Sequence, residues 1–215
     1  MNRTWLSPRV AIAVAAMIGV VSASNYLVQF PVMAQVGAVN LADLLTWGAF
    51  TYPAAFLVTD LTNRHFGPSV ARRVVFAGFL MAVILSAVLF NPRIAMASGT
   101  AFLAAQLLDV AVFDRLRNGI WWSAPLVSSV LGSLLDTALF FSLAFSASFG
   151  VLGATDGFAV EMAPLLGVMS AEAPRWVSWA LGDLGVKLMV ALILLAPYRV
   201  VLAFIPQKPA GGAAA

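Results

Sequence analysis

The chain has 215 residues, of which 62% are hydrophobic and only 10% charged, with a mean hydropathy of +0.96. A soluble domain carries about 25% charge, so the composition excludes an ordinary soluble protein and points to an integral membrane protein with no room for a separate soluble domain. There is no cysteine and a single histidine, His65, which excludes disulfides, thiolate chemistry and the usual His/Cys metal centre. The sequence pI near 9.8 fits the placement of basic residues at membrane ends better than nucleic-acid binding.

A spanning helix needs about 20 mostly apolar residues. Six segments meet this: 10–28, 44–61, 70–90, 94–116, 121–145 and 177–201. Gln29 and Pro31, Gly67-Pro68, Asn91-Pro92 and Asn118-Gly119 break helices between them. The first segment runs on to Asn25-Tyr26 without a cleavage site, so it is expected to be a retained helix rather than a signal peptide. It carries Ala11, Ala15, Gly19 and Ala23 at a spacing of four, a small-residue face that packs either inside the bundle or against a partner subunit. One transmembrane domain is expected over residues 1–205, followed by a disordered Pro/Gly/Ala tail at 206–215.

Positive charge alternates along the chain. Arg3 and Arg9 precede the first segment, and the 29–43 loop has no Lys or Arg. The 62–73 loop has Arg64, Arg72 and Arg73, and the next turn only Arg93. Arg115 and Arg117 follow, and Arg199 and Lys208 end the series. The long 146–176 loop has Asp156, Glu161 and Glu172 against one Arg175. The positive-inside rule then places both termini in the cytoplasm and the 146–176 loop outside. Trp5, Trp121, Trp122 and Trp176 fall at interfaces, as aromatic belts do. Trp47 and Trp179 lie deeper, where a flat ligand can stack.

Four charges sit deep inside apolar runs: Asp109, Asp136, Asp183 and Lys187. Each costs at least about 2.5–3.5 kcal/mol at the bilayer centre, which makes a polar pocket or a proton path the natural reading. Gln106 lies one turn before Asp109, and Ser129 and Ser133 share the face of Asp136. A short pattern, Leu-Leu-Asp-Val-Ala-Val-Phe at 107–113, returns as Leu-Leu-Asp-Thr-Ala-Leu-Phe at 134–140, so two carboxylate faces could line one cavity. Asp183 and Lys187 are four apart and meet on one helix face, either as a mutual ion pair or as contacts to substrate or a mobile proton. Three carboxylates against one ammonium leave an excess of two negative charges for a proton or a cationic ligand to meet. Asn25, Asp43 and Trp47 flank the outer mouth, Asn25 as a cap or a gate ligand. Asp60, Asn63 and Arg64 read as a structural clamp on the inner loop, as do Asp114, Arg115 and Arg117. No Ser/His/Asp set and no phosphate-binding glycine loop is present, so neither an enzyme nor an ATP-driven step within this chain is expected.

Several stretches resemble the queuosine precursor transporter family, also called the VUT family. They are Leu45-Thr46-Trp47-Gly48-Ala49-Phe50, Thr59-Asp60-Leu61-Thr62-Asn63-Arg64-His65-Phe66-Gly67 and Ala71-Arg72-Arg73. Further matches are Gln106-Leu107-Leu108-Asp109, Asp114-Arg115-Leu116-Arg117, Ser133-Leu134-Leu135-Asp136-Thr137, and the last span from Gly182-Asp183 through Lys187 to Pro197-Tyr198. The resemblance implies an all-α, six-helix inner-membrane importer of 7-cyano-7-deazaguanine or its aminomethyl relative. It also implies a distant likeness to the substrate-binding subunits of energy-coupling-factor vitamin transporters. A solitary secondary carrier without cofactor is expected, embedded in lipid, as a single copy or a homo-oligomer. Asp136 or Asp109 would read the guanine-like edge and Gln106 would orient it. The Asp183–Lys187 pair would complete the pocket or relay a proton, with Asn25 and Trp47 as further contacts. The rivals are a binding subunit that needs an external ATPase module, and a membrane enzyme or assembly factor.

Overall fold

The computed structural model describes residues 7–204. The expected tail at 206–215, the domain limit at 205, Trp5, Arg3 and Lys208 lie outside the described residues. Helix α1 spans Pro8–Leu27, α4 Pro68–Leu89, α5 Pro92–Leu116, α6 Ser123–Phe145 and α8 Arg175–Phe204. These five are long and apolar enough to cross a membrane. Their starts are set locally. Pro8, Pro68 and Pro92 occupy first-turn positions, where a missing N–H costs nothing. The Ser7 and Asn91 side chains cap α1 and α5 by accepting from the amides of Val10 and Ile94. Gly67, at φ +87°, makes the abrupt reversal into α4 that a side chain would resist.

The second expected span, 44–61, is not one helix. A 3-10 turn at Leu41–Asp43 leads into an extended stretch, then the short α2 (Trp47–Thr51) and α3 (Ala54–Phe66). Pro53 explains the break: it has no N–H to continue the ladder, and its ring collides with the carbonyl one turn back. The extended stretch is not left bare. Val32 donates to the Leu45 carbonyl at 3.0 Å and Trp47 to that of Phe30 at 3.0 Å. Non-helical backbone at membrane depth is tolerated where protein or a cavity satisfies it. Because α3 continues to Phe66, Asp60, Thr62 and Asn63 are buried helix residues rather than inner-loop residues.

Helix α5 packs against α4, α6 and α3, and α8 closes the bundle against α6. Close approach depends on glycine. A Cβ on Gly132 would lie 2.6 Å from the Phe56 ring, and one on Gly78 would lie 2.6 Å from Met17. By contrast Ala11, Ala15, Gly19 and Ala23 are all exposed, so the small-residue face of α1 is not covered by the bundle.

The two ends of the bundle are tied by arginines. At one end Arg64 donates to the Tyr198 hydroxyl at 3.0 Å and to the Arg117 carbonyl, while Arg117 returns a bond to the Arg64 carbonyl at 3.2 Å and pairs with Asp114. At the other end, the buried Arg93 donates to the carbonyls of Leu143, Ser146, Gly153 and Ala154 and to Thr155 Oγ1. It thereby fixes the start of the 146–176 loop, which folds into α7 (Gly157–Val160) and an antiparallel hairpin of β3 (Met162–Pro164) and β4 (Glu172–Pro174). Strands β1 (Gln35–Val36) and β2 (Val39–Asn40) form a smaller hairpin on the same side, their β2 end touching the other loop.

Gly132→Ala should lower stability by about 1–3 kcal/mol through overpacking, whereas Gly19→Ala, which meets nothing within 4 Å, should not. Thermal unfolding of both variants in detergent checks the contrast.

Candidate functional site

A cavity of about 780 Å³ opens on the side of the 146–176 loop. That is the size of a small-molecule site. Its walls come from α1, the 42–52 segment, α4, α5, α6 and α8, with Phe158, Ala163, Pro164, Gly167 and Arg175 of the loop at the rim.

The deep wall holds an acid–base cluster. Lys187 Nζ donates to Asp136 Oδ2 at 2.7 Å, to Thr137 Oγ1 at 3.3 Å, and to Asp183 Oδ2. An ammonium has three donors, and these three acceptors use them all. Thr137 donates in turn to Asp183 Oδ2 at 2.9 Å, and the Tyr52 hydroxyl to Asp136 Oδ1 at 2.7 Å. The Lys187 ammonium also lies 4.9 Å from the centre of the Tyr52 ring. Asp136 therefore has both oxygens engaged. Asp183 differs: among the described residues nothing bonds its Oδ1, and its side chain keeps 15% exposure on the cavity wall. Two carboxylates and one ammonium give this wall one net negative charge if all are ionised.

The lining contributed by α1, α4 and the start of α5 includes an uncharged polar group. Ser24 and Thr51 hydroxyls are 3.0 Å apart. Ser86 donates to Asn25 Oδ1 at 3.1 Å and stands 3.3 Å from Ser98, and Asn25 Nδ2 is tied to the Val21 carbonyl. A ladder of rings on α6 and α8 leads from the charged cluster to Phe158 of the loop. Phe141 and Phe145 are 5.9 Å apart, Phe145 meets Trp179 edge-on at 5.4 Å, and Trp179 meets Phe158 at 6.2 Å. Arg175 lies 4.4 Å from the centre of the Phe158 ring and pairs with Glu161 at 3.1 Å.

Of the residues expected from sequence, Asp136, Asp183, Lys187, Asn25, Asp43 and Trp179 line this cavity. Gln106 and Asp109 do not. They lie on the face of α5 that meets α3 and α6, fully buried, with Gln106 Oε1 accepting from Thr59 at 2.6 Å. The repeated Leu-Leu-Asp pattern thus sends its two carboxylates to different places, because α5 is buried on two sides. Trp47 is 48% exposed and packs on Phe50, outside the cavity that its neighbour Gly48 lines. Sequence reasoning missed Tyr52 and Thr137. The available signal for Tyr52 was its position before Pro53, a polar-tipped ring at an interruption of the helical hydrogen-bond ladder.

Lys187→Met would leave Asp136 and Asp183 facing each other without their cation. Breaking such a buried pair costs about 3–5 kcal/mol, so this variant should unfold well below the wild type in a detergent thermal melt. Replacing Asp136 by Asn in the same chain should recover part of the loss.

The chain matches the family described as "Putative vitamin uptake transporter" over residues 46–91 and 86–201. It is 36% identical over 199 residues to the queuosine precursor transporter of Escherichia coli (strain K12), covering 83% of this chain and 79% of that one. It is 37% identical over 217 residues to the "Probable queuosine precursor transporter" of Haemophilus influenzae, covering 88% and 84%. It is also 29% identical over 128 residues to a protein of that name in Bacillus subtilis, covering 46% and 56%. No solved structure matches. On the extent of these matches, the chain belongs to the vitamin uptake transporter family, as a multi-pass membrane transporter and not an enzyme.

Proposed function

We propose that this chain imports queuosine precursors, 7-cyano-7-deazaguanine and its aminomethyl relative, across the bacterial inner membrane as a solitary secondary carrier. The observation that carries the reading is the cavity with its Asp136–Lys187–Asp183 wall in a member of this family. A deazaguanine presents N1–H and the 2-amino group as adjacent donors, and Asp183 Oδ1 is the free acceptor on the charged wall. Its O6 can accept from Lys187 or Tyr52 once Thr137 or Asp136 yields a bond. The cyano or aminomethyl arm then points to Asn25, Ser24 and Ser86. The flat ring fits beside Phe141, Phe145 and Trp179, whose edges and faces suit aromatic contact. The net negative charge of the wall favours the cationic aminomethyl form.

Taken with α2–α3 as a discontinuous second crossing, the chain has six spans. Arg9, Arg64, Arg72, Arg73, Arg115, Arg117 and Arg199 then lie on the cytoplasmic side with both termini. The cavity opens outward in this orientation, as an importer's loading state would.

The test is queuosine in tRNA from a strain unable to make or import the precursor, carrying this chain and supplied with each precursor at low concentration. The wild type restores queuosine. Asp183→Asn and Asp136→Asn, at equal membrane levels, reduce uptake about tenfold or more, a loss equivalent to ~1.4 kcal/mol of binding per decade. Full uptake by both variants contradicts the assignment.

A second reading has one observation in its favour. The uncovered stripe of Ala11, Ala15, Gly19 and Ala23 suits close docking to a partner, as a substrate-binding subunit of an ATP-driven vitamin transporter requires. Recovery of queuosine in a host without such ATPase modules decides against it.

A further inference from the structure

Helices α3, α5 and α6 enclose a second polar cluster that the cavity does not use. Asp60 of α3 and Asp109 of α5 are both buried and neighbour each other, with Ser128 of α6 beside both. Ser128 donates to Asp60 Oδ1 at 3.2 Å. Thr59 and Gln106 bond across the same helices on one flank, and on the other Asn63 Nδ2 donates to the Val110 carbonyl at 3.0 Å.

The cluster lacks positive charge. Asp109 has only Asp60 and Ser128 as polar partners, with no other donor bonding either of its oxygens. Asn63 Oδ1, one turn from Asp60, has no partner, and the Gln106 amide nitrogen and the Ser133 hydroxyl are the buried donors left unpartnered among the described residues. Among the described residues no ion pair reaches Asp60 or Asp109. Arg64, one helical turn on from Asp60, acts on it only through space and is engaged by Tyr198, the Arg117 carbonyl and the Phe113 ring. Two adjacent carboxylates at an effective dielectric of 20 repel by about 4 kcal/mol at 4 Å. Buried polar atoms with no partner add about 1–3 kcal/mol each. One positive charge among these oxygens removes both penalties.

We propose that Asp60 and Asp109, with Ser128 and Asn63 Oδ1, form a site for one monovalent cation, a proton or a sodium ion, separate from the substrate cavity. The ligands are all oxygen, as either cation requires. The site shares its framework with the cavity. Helix α3 follows directly on the Tyr52-Pro53 break, so a shift of α3 toward α5 bears on the Tyr52 bond to Asp136. Helix α6 carries Ser128 and, about two turns on, Asp136. Cation occupancy on one side is therefore linked to the arrangement of the charged wall on the other. That coupling role rests on the carrier reading above; the cation site itself does not.

The test begins without substrate. Infrared difference spectra of the purified full-length protein are recorded for a pH step in sodium-free buffer, and for NaCl against choline chloride at fixed pH. The site predicts a carboxyl signal in one arm that is lost in Asp109→Asn and Asp60→Asn and kept in Asp136→Asn. Ser128→Ala, which spares both carboxyls, shifts the signal and serves if the aspartate variants fail to fold. Wild-type protein silent in both arms, or a signal unchanged in all three of these cluster variants, overturns the proposal. In proteoliposomes, a gradient of the same cation should drive accumulation of labelled 7-cyano-7-deazaguanine by the wild type. Asp109→Asn should lose accumulation about tenfold or more yet keep counterflow exchange. Undiminished accumulation by Asp109→Asn overturns the coupling role. A wild type that carries no deazapurine contradicts the substrate reading alone, since the spectra need no substrate.

Discussion

One buried ammonium organises the functional half of this protein. Lys187 is held by Asp136 from α6, by Asp183 one turn away on its own helix, and by Thr137. Each ion costs several kcal/mol to bring out of water, so this cluster is not a stabilising ornament. It persists because the three acceptors match the three donors of the ammonium, and because Tyr52 satisfies the remaining oxygen of Asp136. What is left over is specific: one net negative charge and one unbonded carboxylate oxygen, on Asp183, facing the cavity. The packing of α6 against α8 is thus tied to the chemistry of the site through the same side chains.

The second constraint is the break at Pro53. A continuous helix over 44–61 would carry its side chains past the cavity in a regular spiral. Pro53 interrupts the hydrogen-bond ladder between α2 and α3 while the backbone at 52–53 stays helical; Tyr52 beside it bonds Asp136, and the extended stretch that ends at Thr46 joins α2 in lining the cavity. The backbone groups of that extended stretch are satisfied by pairing with residues 30–32. Broken helices beside binding sites suit a protein that must change shape, because two short segments joined at a proline can move where a single rigid helix cannot. Gly132 and Gly78 act in the opposite sense, letting Phe56 and Met17 lock neighbouring helices at close range.

The long apolar helices were legible in the sequence, since length and hydropathy suffice for them, and Asp183 with Lys187 was legible because four-residue spacing on a helix fixes their contact. The partner from α6, Asp136, was singled out by its depth in an apolar run, although its contact with Lys187 was not, because that depends on how α6 and α8 are rotated. The same gap misplaced Gln106 and Asp109. Their depth and helical spacing were right, but α5 is covered on two sides, and periodicity does not say which buried face meets the cavity. Apolar length alone ends the second span near Leu61 and so puts Asp60 at the inner loop; the helix runs on to Phe66, and Asp60 is buried within it. Depth and position beside the outer mouth single out Trp47, but neither says which way a ring turns; Trp47 is exposed while its neighbour Gly48 lines the pocket.

The role proposed for the charged wall is to read the donor edge of a deazapurine through Asp183. Its most direct test is equilibrium binding to the purified protein of 7-cyano-7-deazaguanine and of the same compound lacking the 2-amino group. Wild-type protein should bind the des-amino compound about tenfold or more weakly, since a site built to accept from the 2-amino group is left with an unpaired buried acceptor when that group is missing. Asp183→Asn should narrow this difference. Equal affinity of the wild type for the two compounds would contradict it.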